Sequence, residues 1–127
     1  MRKIFISYSH QDQSLVQQLA SAMQDTQVLG IMDPADISSG ERLSLLLRTY
    51  IRAADVVVIL LSENVITNKW VMFEAGVAQG FGKKIIPVLL PGAPLEGSMP
   101  EILEGVQVLD ARNLPVKELA HQIKALS

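Results

Sequence analysis

Val56-Val57-Val58-Ile59-Leu60-Leu61, preceded by Asp55 and followed by Ser62, is the longest apolar run in the chain. Six residues suit one β-strand and fall far short of the roughly 20 needed to span a bilayer. A strand with one face in water alternates apolar and polar side chains. This one is apolar on both sides, as expected of a central strand in a parallel sheet whose two faces are both covered.

The flanking segments supply the covers. Upstream, after Ser38-Ser39-Gly40, Leu43, Leu46, Leu47, Tyr50, Ile51 and Ala54 fall at i, i+3, i+4, i+7, i+8 and i+11, one face of a helix. Val28 to Met32 reads as a strand stopped by Asp33-Pro34, and Ile4 to Tyr8 as another. Between them Asp12 is a candidate helix cap, with Leu15, Val16, Leu19, Ala22 and Met23 on one face. Downstream, the polar loop Ser62 to Asn68 leads into a helix from about Lys69 to Gln79, closed by Gly80 and Gly82. Ile85 to Leu90 is a strand despite Pro87, a residue unusual inside a sheet. Residues 91 to 105, with three prolines and three glycines, read as a loop with a short helical turn. Val106 to Leu109 is a short edge strand, and Pro115 opens a last helix with Val116, Leu119, Ile123 and Leu126 inward.

This alternation predicts an α/β fold: a flavodoxin-like, doubly wound, five-stranded parallel sheet of order 2-1-3-4-5 with helices on both faces. The whole chain, 1–127, fits one domain. In such sheets ligands bind beyond the carboxyl ends of the strands where the winding reverses, here strands 1 and 3. The site is therefore expected from Ser7 to Asp12 and from Ser62 to about Glu74.

Composition narrows the chemistry. Thirteen acidic and eleven basic residues give a net charge of −2, with none of the basic surplus that direct nucleic-acid binding favours. With no cysteine, disulfides, thiolate metal sites and cysteine nucleophiles are excluded. His10 and His121 have no metal-ligand spacing, so no metal is expected. The start of the chain turns polar too soon for a signal peptide. A cytoplasmic protein or module without a membrane partner is the expectation.

Glu74 does not fit its surroundings. On a helical wheel it is flanked by Trp70 at i−4, Val77 at i+3 and Ala78 at i+4, with Phe73 and Val71 to either side. A carboxylate in an apolar stripe is costly unless its desolvation is compensated. One reading is structural: Glu74 accepts hydrogen bonds from backbone amides of the first loop and braces the fold, while Trp70 packs on the neighbouring loop. The other is functional: a flat ring beside an anion suits a ligand in which an aromatic ring is joined to a sugar. Gly76, Gly80 and Gly82 sit at a helix end and form no dinucleotide fingerprint, and there is no phosphate-binding loop. The acids that response-regulator receivers need are replaced by Ser-Tyr-Ser and Leu-Ser-Glu, and no Gly-x-Ser-x-Gly elbow occurs.

Phe5-Ile6-Ser7-Tyr8-Ser9, Asp33 and the loop to Ser39-Gly40, Val58-Ile59-Leu60-Leu61-Ser62, Trp70-x-x-x-Glu74 and Lys84-Ile85-Ile86-Pro87-Val88 together resemble the Toll/interleukin-1 receptor (TIR) domain family, in its NAD-cleaving bacterial-type branch. Pro87 is ordinary in that family. The resemblance implies that Glu74 is catalytic, and that Trp70, Tyr8, Ser9 and Asp33 border the substrate. It also implies that the loop of Pro34, Asp36, Ile37, Ser38, Ser39 and Gly40 meets other TIR protomers in a homo-oligomer or filament formed on activation. The implied activity is that of an NAD nucleosidase with no cofactor, NAD being the substrate. Nicotinamide is released with ADP-ribose or a cyclic ADP-ribose. The implied setting is a bacterial immune or antiphage effector or signalling module, with a fused or associated sensor domain. No basic residue lies between Asp33 and Gly40, so no phosphate contacts are assigned.

One carboxylate suffices for that chemistry. Cleaving an O-glycosidic bond generally needs a second carboxyl group to protonate the leaving oxygen. The nicotinamide of NAD is already cationic and departs neutral, so the remaining task is to stabilise or trap positive charge on the ribose. Two alternatives stay open: a non-catalytic TIR scaffold for homotypic interaction, and a nucleoside deoxyribosyltransferase-like enzyme. The cadence Phe73-Glu74-Ala75-Gly76 followed by Gly82-Lys83-Lys84-Ile85-Ile86-Pro87 is similar to the latter.

Overall fold

In the computed structural model Val56–Leu61 forms a strand, β3, with all six residues buried. The structure describes residues 2–8, 10–29, 48–62, 69–93 and 105–127, with the backbone alone for residues 10 and 69–71. Strands β1 (Arg2–Ser7), β2 (Thr26–Leu29), β4 (Lys84–Leu89) and β5 (Leu109–Asp110) complete a parallel sheet ordered β2-β1-β3-β4-β5. The expected topology is the observed one.

The period of two along the strands sorts the core into two layers. Ile4, Ile6, Val56, Val58, Leu60, Ile86 and Val88 face helix α1 (Gln13–Ala22) and helix α4 (Val116–Leu126), meeting Leu19, Met23, Leu119 and Ile123. Phe5, Val57, Ile59, Leu61 and Leu89 face the other way, onto Ile51 and Ala54 around helix α2 (described over residues 48–53) and Ala75 and Ala78 of helix α3 (Lys69–Gly80). Right-handed crossovers leaving β1 in one direction and β3 in the other put these helix pairs on opposite faces.

Local chemistry sets the element ends. Helix α3 closes on Gly82 at φ +67, with Gly82 N–H bonded to Gln79 O and Lys83 N–H to Ala78 O. That is a Schellman motif, which needs a left-handed residue at one position, so Gly82 performs the closure and Gly80 stays helical. The Nζ of Lys83 then donates to the carbonyls of Arg52 and Ala54 at 2.8 and 2.9 Å, satisfying the carboxyl end of α2. Arg52 stacks over Phe81, 5.1 Å from its centroid, and ties the same corner.

Four local expectations change. Asp12 does stand at the N-cap of α1, but it also ends a 3-10 turn (His10–Asp12) and its side chain makes no capping bond to the helix. Ala22, placed on the inner face of α1, is exposed. Strand β2 begins at Thr26, two residues early; residues 30–32 lie outside the described set. Strand β5 begins only at Leu109, three residues late, and Pro87 explains why. The bond from Ala111 N–H to Leu89 O turns Leu89, and hence Pro87 two residues before it, toward β5. The next rung back would require an N–H from Pro87, which has none, so the ladder starts after it at Val88–Leu109.

Two stability outcomes follow. Leu60→Ala, in the centre of the sheet, should lower the unfolding free energy by about 2–5 kcal/mol in denaturant titration. Lys83→Met should cost roughly 0.5–1 kcal/mol by losing the α2 cap at partly exposed carbonyls.

Candidate active site

Strands β1 and β3 are neighbours, paired from Ile4–Val56 to Ser7–Ile59, yet their following helices cover opposite faces. Their carboxyl ends therefore mark the switch point of the winding. Ser7 is the last residue of β1, Ser62 follows β3 and is buried, and Gln11 Nε2 donates to Ser62 Oγ at 3.4 Å. The two segments expected to border the site do meet there.

Helix α3 brings the carboxylate. Glu74 is 0% exposed and lies on the sheet-facing side with Ala75 and Ala78. Ser7, also 0% exposed, donates its hydroxyl proton to Glu74 Oε1 at 2.8 Å. Parity makes this contact: Ser7 shares a strand face with Phe5, which packs in the α2/α3 layer. The bond joins residues 67 apart in sequence, and Oε2 is buried beside it. A hydrogen bond from a neutral donor to a carboxylate offsets part of the cost of removing it from water.

The other expected site residues are distributed unevenly. Tyr8 is 6% exposed and belongs to the α1/α4 layer, the face opposite Ser7. Burial, and then the negative charge of Glu74, push its phenol above the usual tyrosine value, so the ring stays protonated. Trp70 occupies the first turn of α3, one turn before Glu74; its side chain lies outside the described atoms. Ser9, Asp33, Pro34, Asp36, Ile37, Ser38, Ser39 and Gly40 also lie outside the described residues. Phe73, grouped with the apolar surroundings of Glu74, is 42% exposed: on a helix lying along a sheet, the residue before the buried one turns about 100° toward solvent. Among the described residues no cluster of His, Cys, Asp and Glu could hold a metal ion, and no helix is long and apolar enough to cross a membrane.

The contact between Ser7 and Glu74 was readable only in part. Ser7 is a lone hydroxyl ending an apolar strand, and counting by twos from Phe5 places it on the α2/α3 face. Which side chain of α3 it meets depends on how that helix sits across the sheet.

A family model described as TIR domain matches residues 4–126. The chain belongs to the TIR domain family. No curated protein sequence matches it at a significant level. Among solved structures this TIR domain is similar to a CMP N-glycosidase, BcmB, from Clostridium botulinum, with 16% identity, TM-score 0.71, and 99% of this chain and 100% of that one covered. It is also similar to the TIR domain of the Toll-related receptor TRR-2 from Hydra magnipapillata, with 18% identity, TM-score 0.66, and coverage of 97% and 94%. A third similar structure is the RPS4 and RRS1 TIR domain heterodimer, with 17% identity, TM-score 0.69, and coverage of 98% and 97%. At these identities the likeness is one of fold.

The Ser7–Glu74 contact has a distinctive stability signature. Ser7→Ala removes a donor from a buried carboxylate and should cost about 1–3 kcal/mol. Replacing both partners, Ser7→Ala with Glu74→Met, should recover part of that loss, because the carboxylate is then no longer buried without the Ser7 donor. Thermal unfolding of the three proteins checks the pattern.

Proposed function

We propose that this TIR domain is an NAD nucleosidase in which Glu74 is the catalytic carboxylate. The single observation that carries the reading is a fully buried carboxylate at the carboxyl ends of β1 and β3, where the winding of the sheet reverses. An apolar side chain would fill that position on α3 at lower cost, and acids retained against desolvation in clefts are candidates for function.

In the proposed reaction the bond between the ribose anomeric carbon and the nicotinamide nitrogen breaks. Its electron pair moves onto the pyridinium, and nicotinamide leaves neutral. Glu74 stabilises the positive charge left on the ribose or forms a transient ester with it. Water then adds at the anomeric carbon and releases one proton, giving ADP-ribose; an adenine nitrogen in its place gives the cyclic product. No cofactor takes part. Trp70 stacks on the nicotinamide from one turn earlier on α3, and Tyr8 and Ser9 extend the same border. Glu74 has no exposed surface in this structure, so the reading requires the groups above it to move as NAD enters. Association with other TIR protomers through the loop from Pro34 to Gly40, and a role as an immune effector, belong to the same proposal; the RPS4 and RRS1 heterodimer supports TIR–TIR pairing as a property of this fold.

A second reading rests on the likeness to a CMP N-glycosidase: hydrolysis of another nucleotide or nucleoside at the same bond. A neutral pyrimidine must be protonated as it leaves, so this reading asks for an acid besides Glu74.

Concentrated protein mixed with NAD should release nicotinamide, followed by chromatography, and Glu74→Gln should slow that release by roughly 100-fold or more. Equal turnover by Glu74→Gln removes Glu74 from the mechanism. Release of cytosine from CMP with no release of nicotinamide from NAD favours the second reading.

A further inference from the structure

We infer that Ser7 is the positioning residue of the reaction: its hydroxyl holds the Glu74 carboxylate in the one orientation that presents it to the substrate. The inference rests on the NAD reading above and deepens it.

The geometry is restrictive at both ends. Ser7 is clamped by the ladder to β3, where it pairs with Ile59, so its backbone cannot shift without breaking the sheet. Glu74 is held by the packing of Ala75 and Ala78 against the same sheet face. Between these fixed points the glutamate retains its side-chain torsions, and the last of them, which turns the carboxylate plane, is broad in glutamate generally. A 2.8 Å bond from Ser7 Oγ to Oε1 selects one setting of that torsion. It fixes Oε1 beside the end of β1 and with it the plane of the carboxylate. A hydroxyl carries a single proton, and committing it to Oε1 makes Ser7 an acceptor alone toward anything else. Serine also combines small size with a donor, which an apolar strand end next to a helix requires.

A purely structural serine and a positioning serine differ in what they predict. Ser7→Thr keeps the donor, Ser7→Cys keeps the size with a weak donor, and Ser7→Ala removes the donor. Each variant is assayed for nicotinamide release at saturating and limiting NAD, well below its own melting temperature, so that all are folded. The expected order of kcat is Ser and Thr, then Cys, then Ala, with Ser7→Ala lower by roughly 10- to 100-fold, the worth of a hydrogen bond to a charged group. KM should change by less than about threefold, since Ser7 does not touch NAD. A kcat for Ser7→Ala within twofold of the wild type overturns the inference, as does a series that follows side-chain volume in place of donor strength. These results leave the NAD reading standing. Absence of nicotinamide release by the wild-type protein overturns the NAD reading, and this inference with it.

Discussion

The strand Val56–Leu61 is buried on both sides, and the rest of the molecule follows from covering it. A sheet with two apolar faces needs helices on both, and right-handed crossovers supply both only if the chain reverses its winding direction once. Here it reverses between β1 and β3. The reversal places α1 and α4 over one layer and α2 and α3 over the other. It leaves the carboxyl ends of the two central strands as the place where connections diverge. A burial requirement in the middle of the sheet thus fixes the point at which sheets of this topology bind their ligands.

Glu74 is the one charged side chain among the described residues that is driven into the core at that location. Its presence conflicts with the hydrophobic pattern of α3, whose neighbouring positions on that face are alanines. Conflicts of this kind between local composition and global packing concentrate at functional sites. The hydroxyl of Ser7 moderates the conflict without neutralising the charge. The nearby Tyr8 phenol is pushed up first by its own burial and then by Glu74.

Pro87 shows how a single residue type acts at two levels. Within β4 it faces β5, and because it lacks an N–H the β4–β5 ladder begins only after it. The fifth strand is consequently two residues long. Val108, just before it, still packs with the α2/α3 layer, so apolar character persisted where pairing could not.

Hydrophobic period and turn chemistry were enough to read the strand order, the face of α4 and most of that of α1, the left-handed glycine after α3 and the anomaly of Glu74. These depend on contacts within a few residues, or on a burial pattern written directly in side-chain type. The start of β5 and the exposure of Phe73 were decided by which donors and surfaces neighbouring elements present, information no single segment carries. The pairing of Ser7 with Glu74 belongs with them. The sequence places each residue on the correct face of its own element, but only the tertiary structure, by setting the height of α3 against the end of β1, brings the hydroxyl within bonding distance of the carboxylate. Hydrogen bonds fall off within a few tenths of an ångström, whereas periodicity resolves position only to a face.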